Sequence, residues 1–399
     1  MRELLTPDRC LPADGCAGTL IGRAWMPGGP HPGPSPVVVR EDGVFDIARA
    51  APTVSELLNA DDPIALVAAA GDAPRLGGIE ELLANNAAAE GQDPSKPYLL
   101  APCDLQAVKA AGVTFVSSLL ERVIEEQTRG DPGRAAEARA RIDAIVGGDL
   151  RAIRPGSEAA QRLKELLVER GAWSQYLEVG IGPDAEIFTK CQPMSAVGPG
   201  ADIGLHPRSR WNNPEPEVVL AVSARGRIVG ATLGNDVNLR DFEGRSALLL
   251  PQAKDNNASC AIGPFIRLFD RTFGLDDVRR TEVRLRVDGP DGFTLSGSSS
   301  MAEISRDPAD LVGQMIGGVH QYPDGAVLFC GTMFAPVEDR DHPGGGFTHK
   351  RGDVVTIGCP ELGALINRVD TSDAVAPWTF GAGALMRNLA ARGLLGGGA

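Results

Sequence analysis

The sequence predicts an α+β protein whose last part consists mostly of strands. Residues 1–100 mix short strand and helix patterns with frequent Gly and Pro, residues 101–172 have the apolar spacing of helices, and residues 173–399 alternate strand formers with turns. We therefore expect an α/β accessory region at 1–100, a helical connecting segment at 101–172, and a mostly-β domain at 173–399 that holds the functional site.

The accessory region has two predicted strands and two short predicted helices. Residues 18–25 and 36–40 are rich in strand formers, and a Gly- and Pro-rich loop that contains His31 divides them. Residues 53–58 and 78–83 have the pattern of short helices. The region shows no arrangement of residues that is typical of a catalytic site, and we expect His31 to lie at the surface.

The connecting segment is predicted to be helical from Asp104 to Arg170. Residues 119, 120, 123 and 124 are apolar and form a stripe at helical spacing, and residues 135–146 and 161–170 continue with Ala, Glu, Arg and Leu. Most of the charged residues of these helices are expected to face solvent. The Gly-rich stretch at 147–149 predicts a break between helices.

Residues 186–191 begin the strand-rich domain. Strand alternation places Glu186, Phe188 and Lys190 on one face. Two isolated charges in a dry core would cost several kcal/mol each, so these side chains predict a polar cavity. A buried ion pair between Glu186 and Lys190 is the structural alternative.

Four further strands and one helix follow. We predict strands at residues 281–287, 325–332, 352–357 and 362–369. Asp307 followed by Pro308 is typical of a helix start, and that helix should continue to residue 316.

The stretch 211–222 holds the first candidate site residues. Glu215 and Glu217 stand two residues apart before a run of strand formers, so both carboxylates should point to the same side of a strand. Pro214 and Pro216 cannot donate to a sheet, which indicates a strand mouth or edge. An ordinary solvated strand edge is the alternative interpretation of these two carboxylates.

A third carboxylate, Asp236, follows a predicted return strand at 227–233. A hairpin would bring Asp236 beside Glu215 and Glu217. Three carboxylates with no nearby Cys or His favour a hard cation, Mg²⁺ first and Mn²⁺ or Ca²⁺ next, over Zn²⁺.

Composition limits the classes of partner. The chain has 399 residues and a net charge of −13, which argues against nucleic acids and anionic membranes. No apolar run is long enough to span a membrane, and the acidic first residues do not have the pattern of a signal peptide. The seven cysteines lack paired spacing and suit reduced thiols. We therefore expect a cytoplasmic protein.

The motifs taken together resemble the fumarylacetoacetate hydrolase family. They are E-x-E at 215–217, N-D-x-x-x-R-D at 235–241, Lys254 ahead of Gly263 and Pro264, and Gly331 followed by Thr332. Within this family the sequence most resembles the 2-keto-3-deoxy-pentonate dehydratases of oxidative xylose and arabinose catabolism. The resemblance implies a β-roll fold for the catalytic domain and a homo-oligomer, either a dimer or a tetramer.

The resemblance also implies roles for individual residues. The family has an F-x-K followed by a loop of small residues, which Phe188, Lys190 and Ser195 match. Ser195 and Thr332 are then expected to hold the carboxylate or hydroxyls of the substrate, and Lys190 is expected to help bind it. Arg240 either supports Asp236, four residues earlier, or binds the substrate anion.

These parts predict a dehydration. A 2-keto acid chelates a divalent ion, which acidifies the C3 protons and stabilises an enolate, while a base removes one proton and an acid assists loss of the C4 hydroxyl. Lys254 is the first candidate for the base and Glu186 is the second catalytic candidate. An ordinary salt bridge from Lys254 to Asp255 or Asp241 is the alternative. The product would be 2-oxoglutarate semialdehyde, also called 2,5-dioxopentanoate.

Two other functions remain open. The first is C–C bond hydrolysis of acylpyruvates or fumarylacetoacetate-like diketones, for which the hydrolytic relatives use a His–Glu pair located before the F-x-K strand. This sequence has no histidine between His31 and His206, so that pair is not evident, although His206 could substitute for its histidine. The second is a metal-stabilised binding protein, against which the presence of Lys254 beside three carboxylates argues.

Overall fold

The computed structural model describes residues 1, 3–88, 91–146, 153–169, 173–332, 336, 338–342 and 346–395. The strands are β1 Leu20–Met26, β2 Gly33–Arg40, β3 Gly43–Asp46, β4 Arg75–Gly77, β5 Tyr98–Leu100, β6 Ala107–Gly112, β7 Glu186–Cys191, β8 Asp202–Leu205, β9 Asn212–Asn213, β10 Pro216–Val222, β11 Ile228–Asp236, β12 Asn238–Leu239, β13 Cys260–Leu268, β14 Glu282–Asp288, β15 Thr294–Ser300, β16 Ala326–Phe329, β17 Val354–Cys359 and β18 Gly363–Thr371. The α-helices are α1 Pro7–Cys10, α2 Val54–Asn59, α3 Pro63–Ala69, α4 Ile79–Asn86, α5 Val116–Thr128, α6 Ala135–Val146, α7 Glu158–Glu169, α8 Gln175–Ile181, α9 Arg240–Glu243, α10 Leu250–Lys254, α11 Leu275–Val278, α12 Pro308–Met315 and α13 Ala382–Ala391.

Two large sheets organise the described part of the chain. The first has the strand order β4-β3-β2-β1-β13-β11-β10-β16-β6-β7, with β5 also paired to β1. The second has the order β15-β14-β17-β18-β8. Nearly all pairings are antiparallel, and β6–β16 and β8–β18 are the parallel ones among those described. This architecture confirms the predicted α+β class with a mostly-β main domain.

The main core lies between the two sheets. Buried side chains of β10 and β11, such as Leu220 and Leu233, share one apolar cluster with Leu285, Ile357 and Leu365 of the second sheet. Strand β10 is buried along its whole length, as expected for a strand in the middle of a sheet that is covered on both faces. The ends of β10 and β11 are therefore held rigidly from two sides.

The first hundred residues share a sheet with the strands that follow. Strand β1 pairs antiparallel with β13, with Leu20 opposite Arg267. The predicted strands and helices of this region are confirmed as β1, β2, α2 and α4. The domain boundaries at 100 and 172 stay predictions, and residue 172 lies outside the described residues. The shared sheet indicates that the accessory region and the main domain pack as neighbours.

One part of the predicted helical segment is wrong. Residues 107–112 form β6, although their Ala and Lys content favours a helix. The strand pairs with β16 on one side and with β7 on the other. Tertiary pairing at this position overrides the weak local propensity.

The remainder of the segment is helical as predicted. Helices α5, α6, α7 and α8 pack around an apolar cluster that contains Leu119, Val123 and Ile124 of the predicted stripe. The predicted break at 147–149 and the predicted helix end at Arg170 lie outside the described residues. Helix α5 runs directly from the end of β6 toward the mouth of β10, so this helix can deliver side chains to the carboxylates there.

Candidate active site

Glu215, Glu217 and Asp236 meet at the paired ends of β10 and β11. The hairpin register places Glu217 opposite Gly234, and the Asp236 amide donates to the Glu215 carbonyl oxygen at 3.0 Å. One carboxylate oxygen from each residue lies within 4.8 Å of the others. The residues are only 3%, 1% and 2% exposed, so Glu215 and Glu217 do not belong to a solvated strand edge. The geometry is that of an oxygen-ligand site for a hard cation.

Lys254 reaches this cluster from the end of α10. Its Nζ lies 3.0 Å from Glu215, 3.1 Å from Asp236 and 3.2 Å from Glu243. These contacts replace the alternative salt bridge to Asp255 or Asp241. Burial on its own would lower the pKa of Lys254, but Asp236, Glu215 and Glu243 together raise this pKa well above its usual value. Lys254 is therefore an ammonium group in the metal-free protein.

Lys190 supports the same cluster from beneath. Its side chain is completely buried, and Nζ lies 2.8 Å from Asp236. Nζ also donates to the carbonyl oxygens of Val237 at 3.1 Å and Lys254 at 3.0 Å. The alternative Glu186–Lys190 ion pair is not found among the described residues.

Glu186 faces the cluster across the pocket. The pocket has a volume of about 520 Å³, which includes some open solvent. It is lined by the three carboxylates and Lys254, and also by Glu186, Phe188, Tyr176 and Thr332. Glu186 lies against Gly112, its partner on β6, where a Cβ would be only 2.0 Å from the Glu186 carboxylate. Burial, together with the charge of Glu243, raises the pKa of Glu186 to about 7. Glu186 can therefore exchange a proton near neutral pH.

Arg122 is a site residue that the sequence analysis missed. From α5, its guanidinium lies 2.5 Å from Glu215, 2.6 Å from Glu125 and 2.6 Å from Glu243. Arg122 is 8% exposed and Glu125 is 2% exposed, so these two residues are exceptions to the expectation that most charges of these helices face solvent. The spacing of Arg122 and Glu125, three residues apart beside the apolar stripe, was the available signal.

The buried charges around the site do not balance without a cation. Six carboxylates lie around four cationic groups. The carboxylates are those of Glu125, Glu186, Glu215, Glu217, Asp236 and Glu243, and the cationic groups are those of Arg122, Lys190, Arg240 and Lys254. Because the cationic groups do not fully compensate the carboxylates, burial raises the pKa of Glu125 to about 7 and that of Glu217 well above its usual value. A divalent cation at the three carboxylates would supply the missing positive charge, so the residues fit a metal.

Gly331 orients one of the carboxylates. The Gly331 amide donates to Oε2 of Glu217 at 2.6 Å. Gly331 has φ +100°, and a Cβ there would lie 1.9 Å from the Thr114 hydroxyl. The Gly of the Gly331–Thr332 motif is thus required by the backbone, while Thr332 lines the pocket.

Three other residues considered in the sequence make no described contact with the three carboxylates. Ser195 lines a separate pocket, and its hydroxyl donates to the Gln192 carbonyl oxygen at 2.7 Å. Arg240 donates to Asn213 at 2.8 Å and pairs with Glu125 at 3.4 Å, and it makes no described contact with Asp236. His206 packs against Phe242, with ring centroids 4.9 Å apart, and does not line the pocket.

About half of the chain matches a known protein family. Residues 177–370 match the family described as fumarylacetoacetate (FAA) hydrolase C-terminal. A probable 2-keto-3-deoxyxylonate dehydratase of Haloferax volcanii is 32% identical over 196 residues, which cover 49% of this chain and 64% of the relative. A 2-dehydro-3-deoxy-D-arabinonate dehydratase of Saccharolobus solfataricus is 30% identical over 184 residues, covering 46% and 58%. The match thus spans less than two thirds of either relative.

More distant relatives have another named activity. An oxaloacetate tautomerase of Rattus norvegicus is 27% identical over 199 residues, which cover 46% of this chain and 58% of the relative.

Solved structures confirm the fold. A 2-keto-3-deoxyarabinonate dehydratase has a TM-score of 0.60 at 21% identity, covering 88% of this chain and 99% of the other. A structure of such a dehydratase with magnesium and 2,5-dioxopentanoate has a TM-score of 0.58 at the same identity and coverage. No helix in the described part of this chain is long and apolar enough to cross a membrane.

Proposed function

Because residues 177–370 match the family described as fumarylacetoacetate (FAA) hydrolase C-terminal, we propose that this protein is a Mg²⁺-dependent dehydratase of 2-keto-3-deoxy-pentonates. The substrate is a D-xylonate or D-arabinonate type acid, and the products are 2-oxoglutarate semialdehyde and water. The names of the relatives in both comparisons support an enzyme of this class.

The buried carboxylates support the choice of metal. Glu215, Glu217 and Asp236 offer three oxygens at the end of a hairpin, and a related dehydratase structure contains magnesium with 2,5-dioxopentanoate. When bound, Mg²⁺ would polarise the keto and carboxylate oxygens of the substrate and make the C3 protons more acidic. Lys190 and Arg122 keep Asp236 and Glu215 in place for this purpose.

Glu186 and Lys254 are the proposed acid–base pair. The sequence analysis gave the role of base to Lys254, but the contacts of its Nζ with Glu215, Asp236 and Glu243 favour the reverse division. Glu186, with a pKa of about 7, can accept a C3 proton near neutral pH, whereas Lys254 is held as an ammonium and can donate to the leaving C4 hydroxyl. Both side chains line the same pocket beside the three carboxylates, which supports this pairing.

The proposed reaction balances as the loss of one water. Removal of a C3 proton gives an enolate, and departure of the C4 hydroxyl with a proton from the acid leaves a C3–C4 double bond. Transfer of a proton from C5 to C3 then moves the double bond to C4–C5. The resulting enol gains a proton at C4 and loses the proton of its C5 hydroxyl, which gives the terminal aldehyde. No water nucleophile is needed at any step.

The pocket gives less support to C–C bond hydrolysis. Hydrolysis requires a group that activates water. No histidine is among the described residues that line the pocket, and His206 packs against Phe242 instead. The single observation that carries the dehydratase proposal is the position of Glu186 and Lys254 in one buried pocket beside a three-carboxylate site.

The test is a substrate panel measured with Mg²⁺ and with EDTA. The panel contains 2-keto-3-deoxy-D-xylonate, 2-keto-3-deoxy-D-arabinonate, acetylpyruvate and the enol form of oxaloacetate. A semialdehyde dehydrogenase added to the assay should form NADH from one of the keto-deoxy acids, and only with the metal. Cleavage of acetylpyruvate with no reaction of either keto-deoxy acid would replace the proposal with hydrolysis, and enol–keto conversion alone would replace it with tautomerisation.

A further inference from the structure

A second pocket lies apart from the candidate active site. It is formed by β1, by the segment around β5, by the loop after β7 and by the chain that precedes α13. Its volume is about 930 Å³, which includes some open solvent, and it shares no lining residue with the pocket of Lys254. Its walls include Trp25, Tyr98, Trp378 and Phe380, and its floor includes Arg23.

Arg23 is a buried cation that has no partner carboxylate in the described part of the chain. Its side chain is on the same face of β1 as Trp25, two residues away, and is 5% exposed. Nη1 donates to the Cys103 carbonyl oxygen at 2.6 Å, but Nε has no hydrogen-bond partner, and Arg23 makes no ion pair among the described residues. Arginine is almost never buried without a paired anion, because its charge loses hydration.

Asp104, the carboxylate whose charge acts on Arg23, is hydrogen-bonded to backbone amides. It accepts hydrogen bonds from the amides of Val54 at 2.6 Å, Ser55 at 3.0 Å and Leu105 at 2.7 Å. Asp104 therefore reduces the cost of burying Arg23 only through space, and burial lowers the pKa of Arg23. A guanidinium in this state has donors that remain to be satisfied by an anion.

The aromatic walls present ring faces and few donors. Trp25 stacks on Tyr98 at 6.2 Å, and Phe380 meets Trp25 edge-on at 5.9 Å. The indole N–H of Trp25 donates to the Pro94 carbonyl oxygen and that of Trp378 to the Phe380 carbonyl oxygen, both at 3.1 Å. The rings are thus fixed by their own hydrogen bonds and offer flat apolar surface to an occupant.

From these features we propose that this pocket is a binding site for a small carboxylate with a flat, apolar body. The carboxylate pairs with the free edge of the Arg23 guanidinium, and the flat body packs between Trp25 and Trp378. A planar two-oxygen anion matches the fork of N–H donors better than a spherical ion does. This site is independent of the proposed dehydration.

Benzoate and benzamide are the matched probes. They have the same shape, but only benzoate has the charge that Arg23 would pair with. Binding is measured on the whole protein in EDTA by quenching of tryptophan fluorescence and by calorimetry, so that no metal at the Glu217 site can hold the carboxylate. Benzoate should bind at least about tenfold more tightly than benzamide, a factor that corresponds to about 1.4 kcal/mol.

Variants locate the binding. Arg23→Met should abolish the preference for benzoate and leave the melting temperature unchanged or higher, because an unpaired buried charge is removed. Trp378→Ala, at the exposed rim, should weaken the binding of both probes. Arg225→Met, which removes an exposed arginine elsewhere, is the matched control and should bind as the parent does.

Three results would overturn the proposal. They are equal binding of the two probes to the parent protein, benzoate binding by Arg23→Met with the parent's affinity, and a fall of several degrees in the melting temperature of Arg23→Met. The last would make Arg23 a structural residue. If that variant does not fold, the comparison of the two probes on the parent and on Trp378→Ala still decides the outcome. Lys254→Met should retain benzoate binding, which separates this site from the candidate active site.

Discussion

The ammonium nitrogen of Lys190 lies 2.8 Å from Oδ1 of Asp236, in a position completely closed to solvent. The same nitrogen donates to the carbonyl oxygen of Lys254, the last residue of α10. One side chain on β7 therefore fixes both a candidate metal ligand and the helix end that presents the candidate acid. This is a supporting role, beneath the pocket, and differs from the substrate contact that the F-x-K resemblance implied.

Lys190→Met should destabilise the protein and weaken Mg²⁺ binding. Removing one partner of a buried ion pair leaves Asp236 with less compensation, and such losses cost about 3–5 kcal/mol in the free energy of unfolding. Urea unfolding in EDTA and calorimetric titration with Mg²⁺ would measure the two effects. Lys109→Met, on the adjacent strand β6 and half-buried beside Thr189, is the matched control. Parental stability of Lys190→Met would contradict the supporting role.

Glu217→Gln should abolish metal-dependent activity while the protein stays folded. The substitution keeps the shape but removes the negative charge that a divalent cation requires. In EDTA its melting temperature should equal or exceed the parent's, because burial already disfavours the ionised Glu217 carboxylate. Activity that survives EDTA in the parent protein, or full Mg²⁺-dependent activity in the variant, would rule out a metal at this site. Glu282→Gln, at an exposed position of β14, is the control.

Glu186 should set the acidic limb of the pH–rate profile. If its carboxylate is the base, kcat/KM rises about tenfold per pH unit below the pKa of Glu186 and is level above it. The limb should end at or below about pH 7, since that is the pKa of Glu186 in the metal-free protein and a bound cation would lower it. Glu186→Gln should lose most of the rate together with this limb. A rate that falls as the pH rises through 7 would make Glu186 the acid.

Stability gives an independent check on Glu186. Its pKa is raised from about 4.5 to about 7 on folding, so the folded protein binds more protons than the unfolded chain between these values. In EDTA the unfolding free energy should therefore fall as the pH rises from about 4.5 to about 7, and Glu186→Gln should reduce this slope. An unchanged slope in the variant would assign the pH dependence to another group, such as Glu125.

Arg122→Lys should lower both Mg²⁺ affinity and kcat/KM. A lysine retains the charge but cannot bridge Glu215, Glu125 and Glu243 at once, as the planar guanidinium does. Metal titration and steady-state kinetics would measure the losses, which we expect to reach about tenfold or more, as found for groups that orient metal ligands. Arg139→Lys, on α6 and paired with Glu121, is the matched control and should be nearly neutral. Parental metal affinity in Arg122→Lys would contradict this prediction.

The carboxylate site was predictable because its residues are close in sequence. Glu215 and Glu217 have strand spacing, and a single hairpin brings Asp236 to them, so periodicity and one turn were sufficient. Lys254 was identified as a site residue from its position in the order of the family motifs. Its contacts with Glu215 and Asp236 replace the alternative salt bridge to Asp255 or Asp241.

Arg122 and Glu125 were missed because their contacts are not local. Arg122 is 93 residues from Glu215, and its helix has the charged surface of an ordinary exposed helix. Nothing in a periodic pattern distinguishes a charge that faces solvent from one that faces a distant strand end. Strand β6 was missed for the same reason, because only its pairing with β7 and β16 favours an extended backbone there.

The Gly331 amide gives the metal site a signal that can be observed directly. A backbone N–H bonded at 2.6 Å to a carboxylate oxygen should have an amide proton resonance shifted strongly downfield and should exchange slowly with solvent. A cation bound at Glu217 changes the charge on this oxygen, so the amide resonance should shift when the metal binds. A single isotope-labelled glycine at position 331 would therefore report metal occupancy, through the main chain, without any substrate and without any substitution.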